Sequence, residues 1–484
     1  MPQSNPSFKP TLGLLDATMI VAGSMIGSGI FIVSADMLKD VGSAGWLIFA
    51  WVLTGFMTIT AAVSYGELSG MFPKAGGQYV YLKQAFNPLV GFLYGWSLFA
   101  VIQTGTIAAV GVAFSKFAAY LVPALSEKNI IADIGFMKIS AAQVVSIIII
   151  LFLTYTNTKG LKGTKWIQNI FTSTKLIALF GLIIFGFLLA ASKEIWNANW
   201  SDTWTMMQHS SRTGDIAAPE WSQLAGFAVL GAMASALVGS IFSSDAWNNV
   251  TFIAGEIKNP QRNIGLSLFL GTLIVSVIYI SCNLMYVAVL SKSELAFAPE
   301  NRVAVAAAHK IFGEAGTYII AVLIMISTFG CNNGLILSGA RVYYTMAKDG
   351  LFFKKTGELN KASVPAYGLW IQCVVASLLC LSGKYGDLLD YVSFVVMLFY
   401  ILTIAGIFIL RKKMPHAPRP YKAFGYPVLP FIYIVLAATF CVSLIKYKPT
   451  YTWPGLIIVL IGIPLYYMAV AGKKTPSGMP DADN

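Results

Sequence analysis

Charge is scarce in this 484-residue chain: Asp, Glu, Lys and Arg make up 11% of it, against 57% hydrophobic residues and a mean hydropathy of +0.70. That balance excludes a soluble globular protein, and no stretch is polar enough and long enough to fold as a soluble domain. Histidine is nearly missing, with only His209, His309 and His416, all in loops and far apart, so no metal-ligand spacing exists. Cysteine is sparse as well: Cys282, Cys331, Cys373, Cys380 and Cys441 all fall within apolar runs. None sits in an outer loop where an oxidising compartment would pair it, which argues against extracellular disulfides. No GxxxxGK[ST] loop occurs, so direct driving by ATP has no support. The few charges inside apolar runs are too dispersed for the clustered acids and bases of a membrane enzyme.

Apolar length is what the chain has in abundance. Runs of roughly 20 residues, the length a helix needs to cross ~30 Å of hydrocarbon, recur throughout. Twelve are counted: about 12 to 38, 45 to 69, 84 to 121, 139 to 156, 166 to 191, 223 to 254, 264 to 290, 315 to 346, 365 to 383, 386 to 410, 428 to 446 and 453 to 471. The predicted fold class is therefore all-α integral membrane, with twelve transmembrane helices. The first run lacks a basic flank and a small-residue cleavage site, and it is read as a retained helix. With loops assigned to alternating sides, 20 Lys and Arg fall on the N-terminal side and 11 on the other. The net charge of +12 is thus a topology signal, placing both termini in the cytoplasm of a multi-pass cell-membrane protein rather than marking a nucleic-acid partner. The polar tails, 1 to 11 and 472 to 484, are expected to be flexible. The outer loop, 192 to 222, carries Trp196, Trp200, Trp204 and Trp221 and predicts an interfacial aromatic belt with a short surface helix. The segment SKSELAFAPENRVAVAAAHKIFG is helical in composition but too short to span, as a surface lid would be.

Two runs are interrupted. In the first, residues 25 to 31 read MIGSGIF; in the sixth, Ser243, Ser244 and Asp245 break the apolar pattern. Breaks in the first and sixth of twelve spans are what a five-plus-five repeat produces, and because five is odd the second copy is inverted. Backbone left unwound inside lipid is tolerable only where it lines a cavity or binds something. Glycine there allows close approach of a ligand to the main chain. A half-helix starting at Ser28 and Gly29 points N–H groups and a positive dipole end at the gap, which suits a carboxylate. Half-helices ending near Met25 and near Phe242 to Asp245 offer carbonyls, which suit an ammonium. Together, Met25, Ile26, Gly27, Ser28, Gly29, Phe242, Ser243 and Asp245 describe a receptor for an α-amino acid. A packing patch of small residues is the competing explanation of Gly-Ser-Gly. Asp245, a carboxylate within a span, marks a pathway, a paired site or a cap for exposed N–H groups. Lys175 lies some ten residues into span 5, too deep to snorkel, and must find carbonyls or hydroxyls. It fits a fixed counter-cation, a proton carrier or a structural lysine.

MIGSGIF, then YGELSGMFPKAGGQYVYLKQAF with GFLYGW after it, DAWNNVTFIAGEIKNPQRNI, and STFGCNNG with ARVYYTMAKDG follow one another across about residues 12 to 470. This combination resembles the amino acid/polyamine/organocation (APC) superfamily, and is most similar to its L-amino acid transporter (LAT) branch. The resemblance implies the leucine-transporter (LeuT) fold: a first inverted repeat over 12–191, the outer loop, a second repeat over 223–410, and two further helices within 411–471. It implies a carboxylate on the backbone of Ser28 and Gly29, an ammonium on carbonyls near Met25, Phe242 and Asp245, and a gate at Phe242 with Trp247. It also implies that Lys175 takes the place of a sodium ion and bridges span 1 near Ala22 or Gly23 to span 8 near Ser327. Asp245-Ala246-Trp247 departs from the Gly-Gly-Trp or Glu-Gly-Trp often found in related transporters. The loop between spans 3 and 4 lacks the cysteine of heavy-chain-linked animal relatives, so a free-standing bacterial permease is expected, with no disulfide-linked heavy chain. The function implied is sodium-independent exchange of neutral L-amino acids by alternating access, with no cofactor. Proton-coupled symport is the nearest alternative, and a non-transporting amino acid sensor a more distant one.

Overall fold

The computed structural model describes residues 10–133, 135, 138–160, 164–210, 221–382 and 385–471. Residues 1–9 and 472–484 of the expected tails lie outside the described residues.

The chain opens with α1 (Leu14–Met25) and α2 (Gly29–Val41), followed by α3 (Ala44–Met71) and α4 (Gln78–Ala85). Next, α5 (Pro88–Ser97) continues through one π turn into α6 (Gln103–Leu121). A hairpin of β1 (Ile130–Asp133) and β2 (Lys138–Ser140) leads to α7 (Ala141–Thr158), α8 (Thr164–Phe185) and the surface helix α9 (Lys193–Trp200). A second hairpin pairs β3 (Met207–His209) with β4 (Trp221–Gln223). Then come α10 (Phe227–Ser243), the four-residue α11 (Asn249–Phe252), α12 (Pro260–Val289) and α13 (Lys292–Ala296). The chain ends with α14 (Val303–Lys348), α15 (Ala366–Ser382), α16 (Tyr385–Lys413), α17 (Val428–Tyr447) and α18 (Pro449–Ala471).

Nine helices among the described residues are long and apolar enough to cross a membrane, and ten if α1 and α2, bent by 41°, count as one span. The remaining two expected runs are α10 and α15, each of 17 residues. α10 is short because its run stops at Ser243, and Ser244 and Asp245 follow outside the helix.

Local sequence sets the boundaries. Span 3 was expected from residue 84, but Asn87 caps α5 by accepting the Val90 N–H at 3.0 Å, with Pro88 at the first helical position, so α4 is separate. The helix of span 8 begins at Val303, well before residue 315, and Gly313 at φ +68° kinks it. The ten helical residues before that kink belong to the expected lid, which is packed down: Leu295, Val303, Ala304, Ala307 and Ala308 are buried. Among the outer-loop tryptophans, Trp204 is exposed while its carbonyl accepts the Trp46 indole N–H at 3.0 Å, and Trp221 packs on His209 and Phe297.

Helix α1 lies against α8, α12 and α14, while α2 packs on α10 and α3 on α12. Small residues let these axes approach: a Cβ on Gly265 of α12 would stand 3.3 Å from the Gly66 Cα of α3. Buried charge ties together the end that carries the N-terminus. Glu67 accepts both Arg411 Nε at 2.9 Å and Arg411 Nη2 at 2.7 Å, along with the Ala423 N–H at 2.7 Å. Glu256 pairs with Arg341 at 3.1 Å, and its carbonyl receives the N–H groups of Thr11 and Leu12, so the last residues of the N-terminal tail are pinned.

Candidate functional site

Helix α1 stops because Ile26 leaves the helical region at φ −75° and ψ 87°. The Ile26 N–H still reaches the Ala22 carbonyl at 2.9 Å, but the Gly27 N–H turns back to Met25 at 2.8 Å. Ser28 then caps α2, and every residue from Val21 to Phe31 is buried. In a low-dielectric interior each freed carbonyl needs a donor, and side chains from three helices supply them. Lys175 of α8, fully buried, donates to Gly23 at 2.8 Å and Ile26 at 2.7 Å. Cys331 of α14 reaches the Ser24 carbonyl at 3.1 Å. Tyr279 of α12 stands 3.0 Å from the Met25 carbonyl and 3.1 Å from that of Ser243. Ser327 of α14 approaches Ile26 at 3.4 Å and Gly27 at 3.5 Å.

The bridge expected from Lys175 to Ser327 is therefore indirect. Both side chains converge on the Ile26 carbonyl, and Lys175 donates to the last turn of α1 and to the break just after it.

Across the gap, α10 ends at Ser243 and the backbone turns at Ala246, which holds φ +64°. The two breaks meet: a Cβ on Gly29 would collide with the Ser243 hydroxyl, and the Ser243 Cα would lie 3.0 Å away. Phe242 is buried at the last turn of α10. Trp247 packs against Tyr65, with ring centroids 4.7 Å apart, and against Tyr400 at 5.3 Å, so it belongs to an aromatic cluster with α3 and α16.

Asp245 is buried and accepts the Tyr400 hydroxyl of α16. It borders two small internal cavities. One is lined by Gln78, Tyr94, Gln103 and Asn249, the other by Thr54, Thr58 and Tyr433. Neither is lined by Met25 or by Gly27 to Gly29, and the hydrogen bond to Tyr400 ties the Asp245 carboxylate to α16. A larger cavity of about 670 Å³ lies at the end of the bundle opposite the N-terminus, between α2, α10, α16 and α17.

Tyr279, Cys331 and Tyr400 were not found by sequence reasoning. Tyr279, Asn283 and Tyr286 did carry a signal: at i, i+4 and i+7 they share one face of α12, and all three bond into the broken span or its neighbourhood. No group of three or more His, Cys, Asp or Glu side chains among the described residues could hold a metal.

Two broken helices packed on each other, with a buried lysine seated on the first break, form the architecture of a membrane carrier. A sequence model for amino acid permeases matches residues 12–470. The chain belongs to that family, within the APC superfamily and its L-amino acid transporter branch. It is a transporter, not an enzyme. It is 29% identical over 476 residues to the human "Large neutral amino acids transporter small subunit 2", covering 98% of this chain and 83% of that protein. It is 28% identical to the mouse "Asc-type amino acid transporter 1", over 97% of this chain and 83% of the relative. With the human "b(0,+)-type amino acid transporter 1" the identity is 27%, over 96% and 89%.

Proposed function

We propose that the protein moves neutral L-amino acids across a cell membrane by alternating access, as a sodium-independent exchanger. The observation that carries this reading is the meeting of the two helix breaks, Gly29 against Ser243, with Lys175 on the Gly23 and Ile26 carbonyls. A lysine ammonium at this position does the work of a fixed monovalent cation, holding the unwound backbone open without a sodium ion. The substrate carboxylate takes the N–H groups at the start of α2, around Ser28 and Gly29. Its ammonium takes carbonyls at the ends of α1 and α10. Tyr279 has one hydroxyl proton for two carbonyls, those of Met25 and Ser243, which leaves acceptor capacity for a second donor. Phe242, one residue before Ser243, closes over this site, and the halves that rock about it are 12–191 and 223–410.

The names of the relatives support the substrate class. One of them is called a small subunit, yet this chain works without a disulfide-linked heavy chain: its five cysteines are all buried.

Purified protein in liposomes tests the reading. Radiolabelled leucine or alanine should enter vesicles preloaded with unlabelled amino acid several-fold faster than empty ones, with choline replacing sodium at no cost. Uptake into empty vesicles driven by an imposed proton gradient would replace exchange with symport, and binding without any uptake would leave a sensor.

A further inference from the structure

Where α3 and α12 cross at Gly66 and Gly265, their backbones touch, and the segment leading into α17 stands beside the crossing with Tyr421 against Gly66. A groove of about 930 Å³ lies between these three walls, lined by Phe56, Ile59, Val63, Leu266, Phe269 and Phe424. Phe56 and Phe424 are 38% and 77% exposed, so the groove opens on the surface that faces hydrocarbon. One charged side chain stands among its lining residues. Arg262, in the first turn of α12, lines the groove, is exposed and enters no ion pair among the described residues. Lys422, next to the lining residue Tyr421, is exposed too. Arg411 and Arg419, by contrast, are held by Glu67.

We propose that this groove binds an anionic phospholipid, with an acyl chain along Phe56, Ile59 and Phe269 and the phosphate on Arg262. An apolar trough with its one unpaired guanidinium at the end where the helices leave the membrane matches the layout of a lipid, whose charge sits at one end of its chains. Charge selects the headgroup. A zwitterionic lipid brings a second cation up to Arg262 and Lys422, whereas an anionic one does not. A helix from a second copy of the chain would cover the apolar wall but leave Arg262 without a counter-charge. The site braces the bundle from outside, since α3 and α12 are the helices on which α10 and α1 rest. It is independent of the substrate assigned above.

Native mass spectrometry of the delipidated protein, titrated with phosphatidylglycerol or phosphatidylcholine of matched chains, tests the proposal. The wild type should retain phosphatidylglycerol about fivefold better, the effect of one interfacial cation, and Arg262→Gln should remove that preference while leaving phosphatidylcholine retention unchanged. Leu266→Trp, which fills the trough, should lower retention of both lipids; Phe269→Trp serves the same end if the first variant unfolds early in a thermal scan. Equal retention of the two lipids by the wild type, or a preference that survives Arg262→Gln, would overturn the proposal. So would a dimer that Leu266→Trp dissociates, because the groove would then belong to a second copy.

Discussion

Five successive carbonyls, from Gly23 to Gly27, each meet a side chain from another helix, and the identity of those side chains sets what the break can do. Lysine, cysteine and serine each serve carbonyls of the first span only. Tyr279 differs, because its hydroxyl stands between the ends of α1 and α10 and so holds the two breaks in register. Removing that hydroxyl costs about 1 to 1.5 kcal/mol if the register matters to the ligand. Tyr279→Phe is therefore expected to weaken amino acid binding roughly tenfold, read by calorimetric titration; unweakened binding would reduce Tyr279 to packing. Ala246 presents the opposite case, an alanine in the left-handed region at φ +64°, where glycine carries no steric penalty. Ala246→Gly should stabilise the protein by about 0.5 to 1 kcal/mol, because relief of backbone strain exceeds the extra chain entropy lost on folding. A fall in the midpoint of thermal unfolding would contradict that sign.

At the scale of the element, α1 and α2 work as a pair only if α10 approaches closely, and Gly29 sets the distance. Gly29→Val drives a side chain into the Ser243 hydroxyl and Cβ, an overpacking worth roughly 1 to 3 kcal/mol. Substrate binding should be lost, while the far ends of both helices, held by other contacts, keep their helicity in circular dichroism. Affinity equal to the wild type would remove Gly29 from the site. Lys175→Met leaves the Gly23 carbonyl without its donor, about 1 to 3 kcal/mol for a buried group, and leaves the Ile26 carbonyl with only Ser327 at 3.4 Å. Turnover in exchange assays is expected to drop at least tenfold with the protein still extractable and folded; wild-type exchange would make the lysine a packing residue.

The elements that lipid itself constrains were the legible ones. Twelve apolar runs announce themselves by length, and Gly-Ser-Gly, Asp245 and Lys175 stand out because hydrocarbon tolerates them poorly. Tyr279 and Tyr400 stayed hidden for the converse reason. A tyrosine is unremarked in an apolar helix, and its hydroxyl's partners lie 254 residues away for Tyr279 with Met25 and 155 for Tyr400 with Asp245. The orientation of Asp245 was out of reach for the same cause, since nothing near it in sequence fixes which helix its carboxylate faces.

Over the whole molecule the two ends are built differently. At the end that carries the N-terminus, Glu67 with Arg411, Glu256 with Arg341 and Asp349 with Lys83 clamp α3, α16, α14 and α4. The opposite end carries the large cavity between α2, α10, α16 and α17, with Lys448 paired to Asp390 at its edge. A carrier closed at one end and hollow at the other is an intermediate of a cycle whose direction in the cell depends on which end faces the cytoplasm. The charge count is the ground for the orientation we propose: 20 Lys and Arg in loops on the N-terminal side against 11 on the other favour the clamped end inside. Burial of all five native cysteines makes the orientation measurable, because none of them competes for a water-soluble reagent. Lys128, exposed in the loop after α6, and Lys354, exposed in the loop after α14, lie on opposite sides under this topology. A membrane-impermeant maleimide applied to intact cells should label Lys128→Cys, and label Lys354→Cys only once the cells are permeabilised. The reverse pattern would turn the molecule over, place the hollow end in the cytoplasm and make this conformation the one that loads substrate from inside.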